Sequence, residues 1–394
     1  MANNLILTCN TGSSSVKFGI YANEIATARK VGEVVVDLRK HTLSLQYSGH
    51  VHEMDLASTV TDDMKELTEK VLGFLSRQFD AAKWQAVGHR VVHGGDVFRG
   101  PVVIEINIEE ALEGLVPLAP LHEPQALKLI RAVRSHLPDI VQTASFDTSF
   151  HLTNADHVRR LAIPRDLHDA GIKRYGFHGL SYTSIARQLA SIAPKIAGRR
   201  VVVAHLGSGC SLCGLENGIS RDTSMGFSTL DGVPMATRCG TLDPGVLLNL
   251  LREQKRTLAD IEDLLYNKSG LLGVSGISGD TRDLLESLDA RAAEALDLFA
   301  FRIAGETARI ANTLGGLDAF VFTAGVGEHQ PPIRAAIATH LAWLGLGLDT
   351  EANAAGRQLL SSPASSVMAF LMHTDEGQVI ADDARELLMG IERK

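Results

Sequence analysis

Short apolar runs broken by polar turns set the rhythm of this chain. Leu5-Ile6-Leu7-Thr8-Cys9 predicts a strand, Asn10 to Ser15 a polar turn, and Val16 to Tyr21 a second strand. The pattern returns later. Val201-Val202-Val203-Ala204 predict a buried strand, His205 to Gly209 break it, and Ser211 to Leu215 resume an extended pattern. Glycines at 207 and 209 let backbone come close to a ligand, and the N–H groups and hydroxyl of such a turn suit an anion. An ordinary hairpin turn has the same local pattern. Its recurrence points to a duplicated domain, with a nucleotide held at its phosphates from two hairpins.

Between and after the hairpins, 31–37 and 43–54 read as further strands, and Asp62 to Phe79 as a helix capped by Thr61. Ala86 to Gly95 reads as a strand ending in a double glycine. Pro124 suits the first turn of a helix, 140–143 is strand-like, and another helix starts at Ser181. A long helix from about Ala290 to Thr313 has Asp289 as its cap. Ala319 to His329 reads as strand, glycine turn and helix start, a geometry suited to nucleotide. A terminal helix spans Gln378 to Arg393.

Composition narrows the classes. At 394 residues the chain is long enough for two or three domains. A net charge of -8 argues against a nucleic-acid partner. No apolar run is long enough to span a membrane, and the first residues lack a signal-peptide pattern. The four cysteines suggest a reducing compartment, hence the cytoplasm. Cys210 and Cys213 form C-x-x-C, but their odd separation on a strand turns them to opposite faces, against a shared metal.

Several residues carry candidate chemistry. Asn10, Ser13, Ser15 and Lys17 offer an amide, hydroxyls and an ammonium to phosphate or metal. Arg90, flanked by His89 and His93, stands where α/β strands deliver ligands, and its guanidinium matches a carboxylate or phosphoryl group. The two histidines read as structural. His122 at a helix start contacts an anion or caps the helix. Asp147 follows a buried strand. His178, beside a glycine, can hydrogen-bond a phosphoryl oxygen. Asp222 to Asp243 is a long glycine-punctuated loop containing Arg238, and long ordered loops are usually functional. Arg90 and Arg238 are both expected to face a ligand cleft rather than a core.

These motifs resemble those of the acetate kinases from end to end, within the wider group of acetate and sugar kinases, heat-shock chaperone ATPases and actin. The matching stretches are Asn10 to Lys17, HRVVHGG from His89, LAPLH from Leu118, FDTSFH from Phe146, RYGFHG from Arg174, HLGSG from His205, DTSMGF from Asp222, TRCG from Thr237, SGISGDTRD from Ser275 and FTAGVGE from Phe322. The resemblance implies an α/β fold of two duplicated ribonuclease-H-like domains, the actin-like ATPase fold, with nucleotide in the cleft between them. Residues 1–147 would form the first domain, completed by the terminal helix 382–394, and 148–381 the nucleotide-binding domain.

The implied reaction is reversible phosphoryl transfer from ATP to acetate, giving acetyl phosphate and ADP, with Mg2+ or Mn2+. By the same resemblance, Asp147, His178 and Arg238 are catalytic. Arg90 binds the substrate carboxylate, and Val92, Leu121, His122 and Phe177 bind the rest of the substrate. Lys17, Ser13, Ser15, His205, Leu206, Gly207, Ser208, Gly209, Asp280, Thr281, Arg282, Gly325, Val326, Gly327, Glu328 and His329 bind ATP. Asn10 and Glu376 serve the metal. Asp147 reads as an orienting group rather than a base, because a carboxylate substrate has no proton to lose near neutral pH. The resemblance also implies a homodimer. This chain departs from the family pattern at Glu123, Leu180, Tyr182, Ser208, Thr229, Pro234, Ala236, His329, Asp375 and Gly377. The alternatives are a propionate or butyrate kinase, and a non-catalytic ATP-binding module. The joint presence of Arg90, His178 and Arg238 argues against the module.

Overall fold

A computed structural model describes residues 4–12, 15–24, 26–38, 40–47, 49–57, 64–80 and 83–392. Ser13 and the expected cap Thr61 lie outside them. The chain divides into two compact units, Met1–Phe150 with Asp375–Lys394, and His151–Thr374. Among the described residues no helix is long and apolar enough to cross a membrane.

The first unit is built on β1 (Leu5–Thr11), β2 (Ser15–Asn23), β3 (Ala28–Asp37), β4 (Thr42–Tyr47), β5 (His50–Asp55), β6 (Trp84–Val91), β7 (Val102–Val103) and β8 (Val141–Phe146). Their order in the sheet is β5-β4-β3-β2-β1-β6-β8-β7. Strands β1 to β5 pair antiparallel in succession, while β6 joins β1, and β8 joins β6, in parallel. The expected strand segment 43–54 is a hairpin, turning at Gly49 with φ +81. The β1 strand is apolar on both sides because both sheet faces are covered. Leu5, Leu7 and Cys9 pack with the helices Met64–Gln78 and Glu123–His136, while Ile6 faces Ala381, Ala384 and Leu388 of the terminal helix Glu376–Glu392. That helix starts two positions ahead of the expected Gln378 because the Asp375 carboxylate accepts the Gln378 N–H at 2.9 Å. The whole helix belongs to this unit, which resumes at Asp375 rather than at 382.

The second unit holds β9 (Arg200–Leu206), β10 (Cys210–Glu216), β11 (Ile219–Thr223), β12 (Ala319–Thr323) and β13 (Met368–Leu371), ordered β11-β10-β9-β12-β13. Two antiparallel pairings are followed by two parallel ones. The run β3-β2-β1-β6-β8 has the same order and the same directions. The duplicated ribonuclease-H-like topology is therefore present in both units, as the paired hairpins suggested. The helix Ala290–Leu314 lies on β10, and its cap Asp289 accepts the Arg291 N–H at 2.9 Å. Cys210 and Cys213 are both buried on β10. Cys210 donates to the Gly207 carbonyl, while Cys213 sits beside Ser220. Burial pushes the Cys210 thiol up to about 12, so neither redox nor metal chemistry is favoured there.

Candidate functional site

Each unit carries its own set of chemistry-bearing side chains. In the first, Asn10 lies near the end of β1, Arg90 near the end of β6, Asp147 follows β8 and Glu376 opens the terminal helix. Parallel pairing of β1, β6 and β8 brings their carboxyl ends together. The Asn10 amide donates to Glu376 Oε2 at 2.7 Å, and its Oδ1 accepts from Arg90 Nη1 at 3.0 Å. Arg90 Nε and Nη2 both donate to Asp147 Oδ2, at 3.0 and 2.7 Å. Arg90 Nη1 also lies 3.4 Å from Glu376 Oε2.

This corrects the expectation that Arg90 simply faces an open cleft. Its side chain is 11% exposed and Asp147 is fully buried, so the guanidinium is part of a buried ionic network. Burial alone would lower its pKa, but Asp147 and Glu376 outweigh that and hold it above the usual range. Among the described residues these contacts leave one Nη2 hydrogen over.

Around this network, Lys17 on β2 is exposed and stands opposite Asn10 in register. Ser15 accepts the Gly12 N–H through its carbonyl at 2.9 Å. Val92 is buried and Leu121 is 45% exposed. His122 occupies the N-cap of the helix Glu123–His136 but makes no side-chain capping bond, so the capping alternative falls away. His89 and His93 are structural, as expected. His89 Nε2 pairs with Gln142 at 2.8 Å, and His93 Nδ1 accepts the Gly95 N–H at 3.0 Å. Among the described residues no group of three or more His, Cys, Asp or Glu is placed to hold a metal.

Sequence reasoning missed the weight of Glu123. Its side chain is fully buried. Oε1 accepts the His93 N–H at 2.7 Å, and Oε2 has no hydrogen-bond partner among the described residues. Burial, aided by the nearby charge of Asp147, pushes this carboxyl up to about 8. The only signal in the sequence was the departure from the family's Asn.

In the second unit, His178 is the N-cap of the helix Gly179–Ile192 and has left-handed backbone, φ +58. The ring of His205 stacks beneath it, centroids 4.1 Å apart and planes 14° apart. His205 Nδ1 pairs with Ser181 Oγ at 2.8 Å. The turn between β9 and β10 is closed by the Gly207 N–H on the Gly209 carbonyl at 3.1 Å. A Cβ at Gly209 would stand 3.5 Å from His178 Nε2 and 3.7 Å from Arg238 Nη1. The two cationic or hydrogen-bonding tips therefore converge on one spot over the glycine turn.

Arg238 differs from Arg90. It is half-buried, its Nη1 donates to the Thr229 carbonyl at 3.2 Å, and no described carboxylate pairs with it. Burial pulls its pKa down, the mark of a guanidinium lacking an anion. The loop that carries it is anchored from both ends. Arg174 Nη1 donates to the carbonyls of Thr223, Ser224 and Met225. Buried Asp222 accepts from Arg309 and Thr313, and Asp243 caps the helix Pro244–Arg252. The carbonyl of Ser208 accepts the Ala236 N–H, tying the glycine turn to this loop.

The remaining predicted residues divide. Leu206 is buried, and Thr323 pairs with His205, setting the turn after β9 beside the helix Ala324–His329 with its Gly325, Val326 and Gly327. Glu328 turns inward: Oε1 accepts the Ala324 and Thr374 N–H groups and Oε2 meets His373 Nδ1 at 2.7 Å. Its carboxylate thus holds the fold together at that turn. His329 is exposed. Asp280 caps the helix Thr281–Glu286 and pairs with exposed Arg282. Phe177 is buried, and its carbonyl pairs with His151 Nε2.

The comparisons with known proteins agree with one another. The model of the acetokinase family matches residues 5–382. An acetate kinase of Methylocella silvestris is 41% identical over 394 residues, covering 97% of this chain and 98% of its own. One of Rickettsia prowazekii is 38% identical, covering 98% of this chain and 99% of its own. Among solved structures, a propionate kinase from Francisella tularensis subsp. tularensis SCHU S4 aligns with TM-score 0.90 at 33% identity, covering 97% of this chain and 99% of that one. Porphyromonas gingivalis acetate kinase aligns with TM-score 0.85 at 34% identity, covering 98% and 100%.

Proposed function

The chain belongs to the acetokinase family, and from that premise we propose that it transfers the γ-phosphoryl group of ATP to acetate, reversibly, giving acetyl phosphate and ADP. The observation that carries the reading is the convergence of His178 Nε2 and Arg238 Nη1 on the Gly209 turn, with no carboxylate among the described residues paired with Arg238. Phosphoryl transfer needs charge neutralisation and alignment rather than covalent help from the protein. Arg238 and His178 neutralise the oxygens of the group in transit. The glycine turns at 207–209 and 325–327, with Lys17, Ser15, Asp280, Thr281 and Arg282, hold ATP.

Arg90 binds the acetate carboxylate, and Asp147 fixes its guanidinium by accepting from both Nε and Nη2. Asp147 has no proton to remove, since acetate reaches the enzyme already ionised. Val92, Leu121, His122 and Phe177 bound the acetyl group. The oxygen donors of Asn10 and Glu376 suit Mg2+, which binds through few protein oxygens alongside phosphate and water. When bound, that ion neutralises charge on the transferring phosphate.

We further read the protein as a cytoplasmic homodimer. Free, mostly buried cysteines support a reducing compartment. Exposed Leu248, Leu251 and Leu258 on two successive helices support a subunit contact.

The likeness to a propionate kinase makes acceptor size the quantity to measure. Coupled assay of ADP formation should rank kcat/KM as acetate, then propionate, then butyrate, since one methylene is worth about 1–3 kcal/mol in an apolar pocket. Val92→Ala should shift the ratio toward propionate. A preference for butyrate, or ratios untouched by Val92→Ala, would overturn the assignment.

A further inference from the structure

The face of His178 turned away from the glycine turn is as well built as the face turned toward it. Its Nδ1 lies 2.8 Å from Ser211 Oγ, and Ser211 Oγ lies 2.5 Å from the Tyr182 hydroxyl. Ser211 and Tyr182 are both fully buried. The arrangement comes from local structure. Tyr182 is four residues after His178, and its N–H donates to the His178 carbonyl at 3.1 Å, so both side chains share one face of the helix start. Ser211 lies opposite His205 in the β9–β10 register, which puts its hydroxyl beside the stacked histidines.

Each of these two bonds can run either way, and we assign their direction from donor strength. A serine hydroxyl has one hydrogen to give. A phenol is far more acidic than an alkyl alcohol and is the stronger donor, so Tyr182 donates to Ser211 Oγ. The Ser211 hydrogen is then directed at His178 Nδ1. With Nδ1 accepting, the ring proton of neutral imidazole resides on Nε2, the nitrogen that faces the Gly209 turn.

We propose that Tyr182 is a positioning residue which, through Ser211, holds His178 as the Nε2–H tautomer, so that the ring donates to a phosphoryl oxygen. This deepens the proposed role of His178 and rests on it. It also gives a use to a departure from the family motif, which has histidine where this chain has Tyr182.

Tyr182→Phe removes the hydroxyl and keeps the ring. In protein labelled with 15N-histidine, the His178 signals, assigned by their loss in His178→Gln, should show the proton on Nε2. In Tyr182→Phe that population should fall. Its kcat should drop about tenfold, the order expected for a lost orienting hydrogen bond, with KM for ATP within about twofold. Ser211→Ala should do the same, and the double variant should lose no more than either single one. An unchanged His178 nitrogen pattern with unchanged kcat in Tyr182→Phe overturns the inference, and if that variant does not fold, Ser211→Ala decides by the same two readouts. His178→Gln separates the two levels. If it keeps wild-type turnover, the reading of His178 itself is wrong. If it loses turnover while Tyr182→Phe changes nothing, only the positioning role falls.

Discussion

Two arginines both expected to face a ligand differ in what surrounds them. Arg90 is the counter-ion of buried Asp147 and of Glu376, whereas among the described residues Arg238 donates to a carbonyl and pairs with no carboxylate. Arg90→Ala should therefore lose both turnover and about 3–5 kcal/mol of stability, the usual consequence of stranding a buried carboxylate. Arg238→Ala should lose about 10²–10³ in kcat, as for removal of a transition-state donor, with its melting temperature nearly unchanged. Equal melting temperatures for the two variants would contradict this division. Glu123 gives a second residue-scale test. Unfolded, its carboxyl ionises at its ordinary 4.5, but in the folded protein only near 8. Between those values the folded chain keeps a proton that the unfolded chain has released, so stability falls as pH rises through the window. Glu123→Gln cannot ionise, and its amide oxygen can still accept the His93 N–H. Calorimetry at about pH 5 and about pH 8 should show the variant's advantage in melting temperature growing with pH. Parallel curves for the two proteins would refute the buried, protonated state.

At the scale of elements, the glycine turn works because the strands around it are held close. Gly214 on β10 lies against the helix Ala290–Leu314, and a Cβ there would come 2.5 Å from Ile310 Cγ2. That methyl belongs to a β-branched side chain, which is stiff in a helix. Gly214→Ala should thus cost about 1–3 kcal/mol of stability by overpacking. Denaturant unfolding would measure it, and a neutral result would mean that the helix shifts freely on the sheet. The terminal helix shows the converse. Its first residue, Glu376, meets Asn10 and Arg90 from across the sequence because the helix packs on the sheet that carries them. A site residue there is only as well placed as the helix's packing.

For the whole molecule, the one carboxylate assigned to metal, Glu376, is already balanced by Arg90. Chelation with EDTA should therefore abolish turnover while leaving the melting temperature of the nucleotide-free protein within about 1 °C, unlike a structural metal whose loss unfolds its domain. A large drop on chelation would show that the ion holds the fold. The duplication was legible in the sequence, because strand–turn–strand units leave a local pattern of apolar blocks and glycines, and the sheets then repeat one strand order. Arg90 and Asp147 were legible because each sits in a short motif at a strand end, and His178 and Arg238 because each sits in a short glycine-bearing motif, at a helix start and in a long loop. Local pattern, however, carries no information on what meets a side chain from far along the chain. That Asn10 meets Glu376, that Arg90 is shared by two carboxylates and that Arg238 meets none among the described residues were decided by strand order and helix docking. The same holds for Glu328, whose carboxylate accepts the backbone N–H groups of Ala324 and Thr374. Burial is a tertiary property too, so the shifted carboxyl of Glu123 and the Tyr182–Ser211–His178 chain had no signature beyond a departure from a familiar motif. The sequence by itself determined the repeated topology and which residue types line the strand ends. Only the tertiary structure decided which of those charges are neutralised within the chain and which remain to meet a ligand, because that depends on distances between residues hundreds of positions apart.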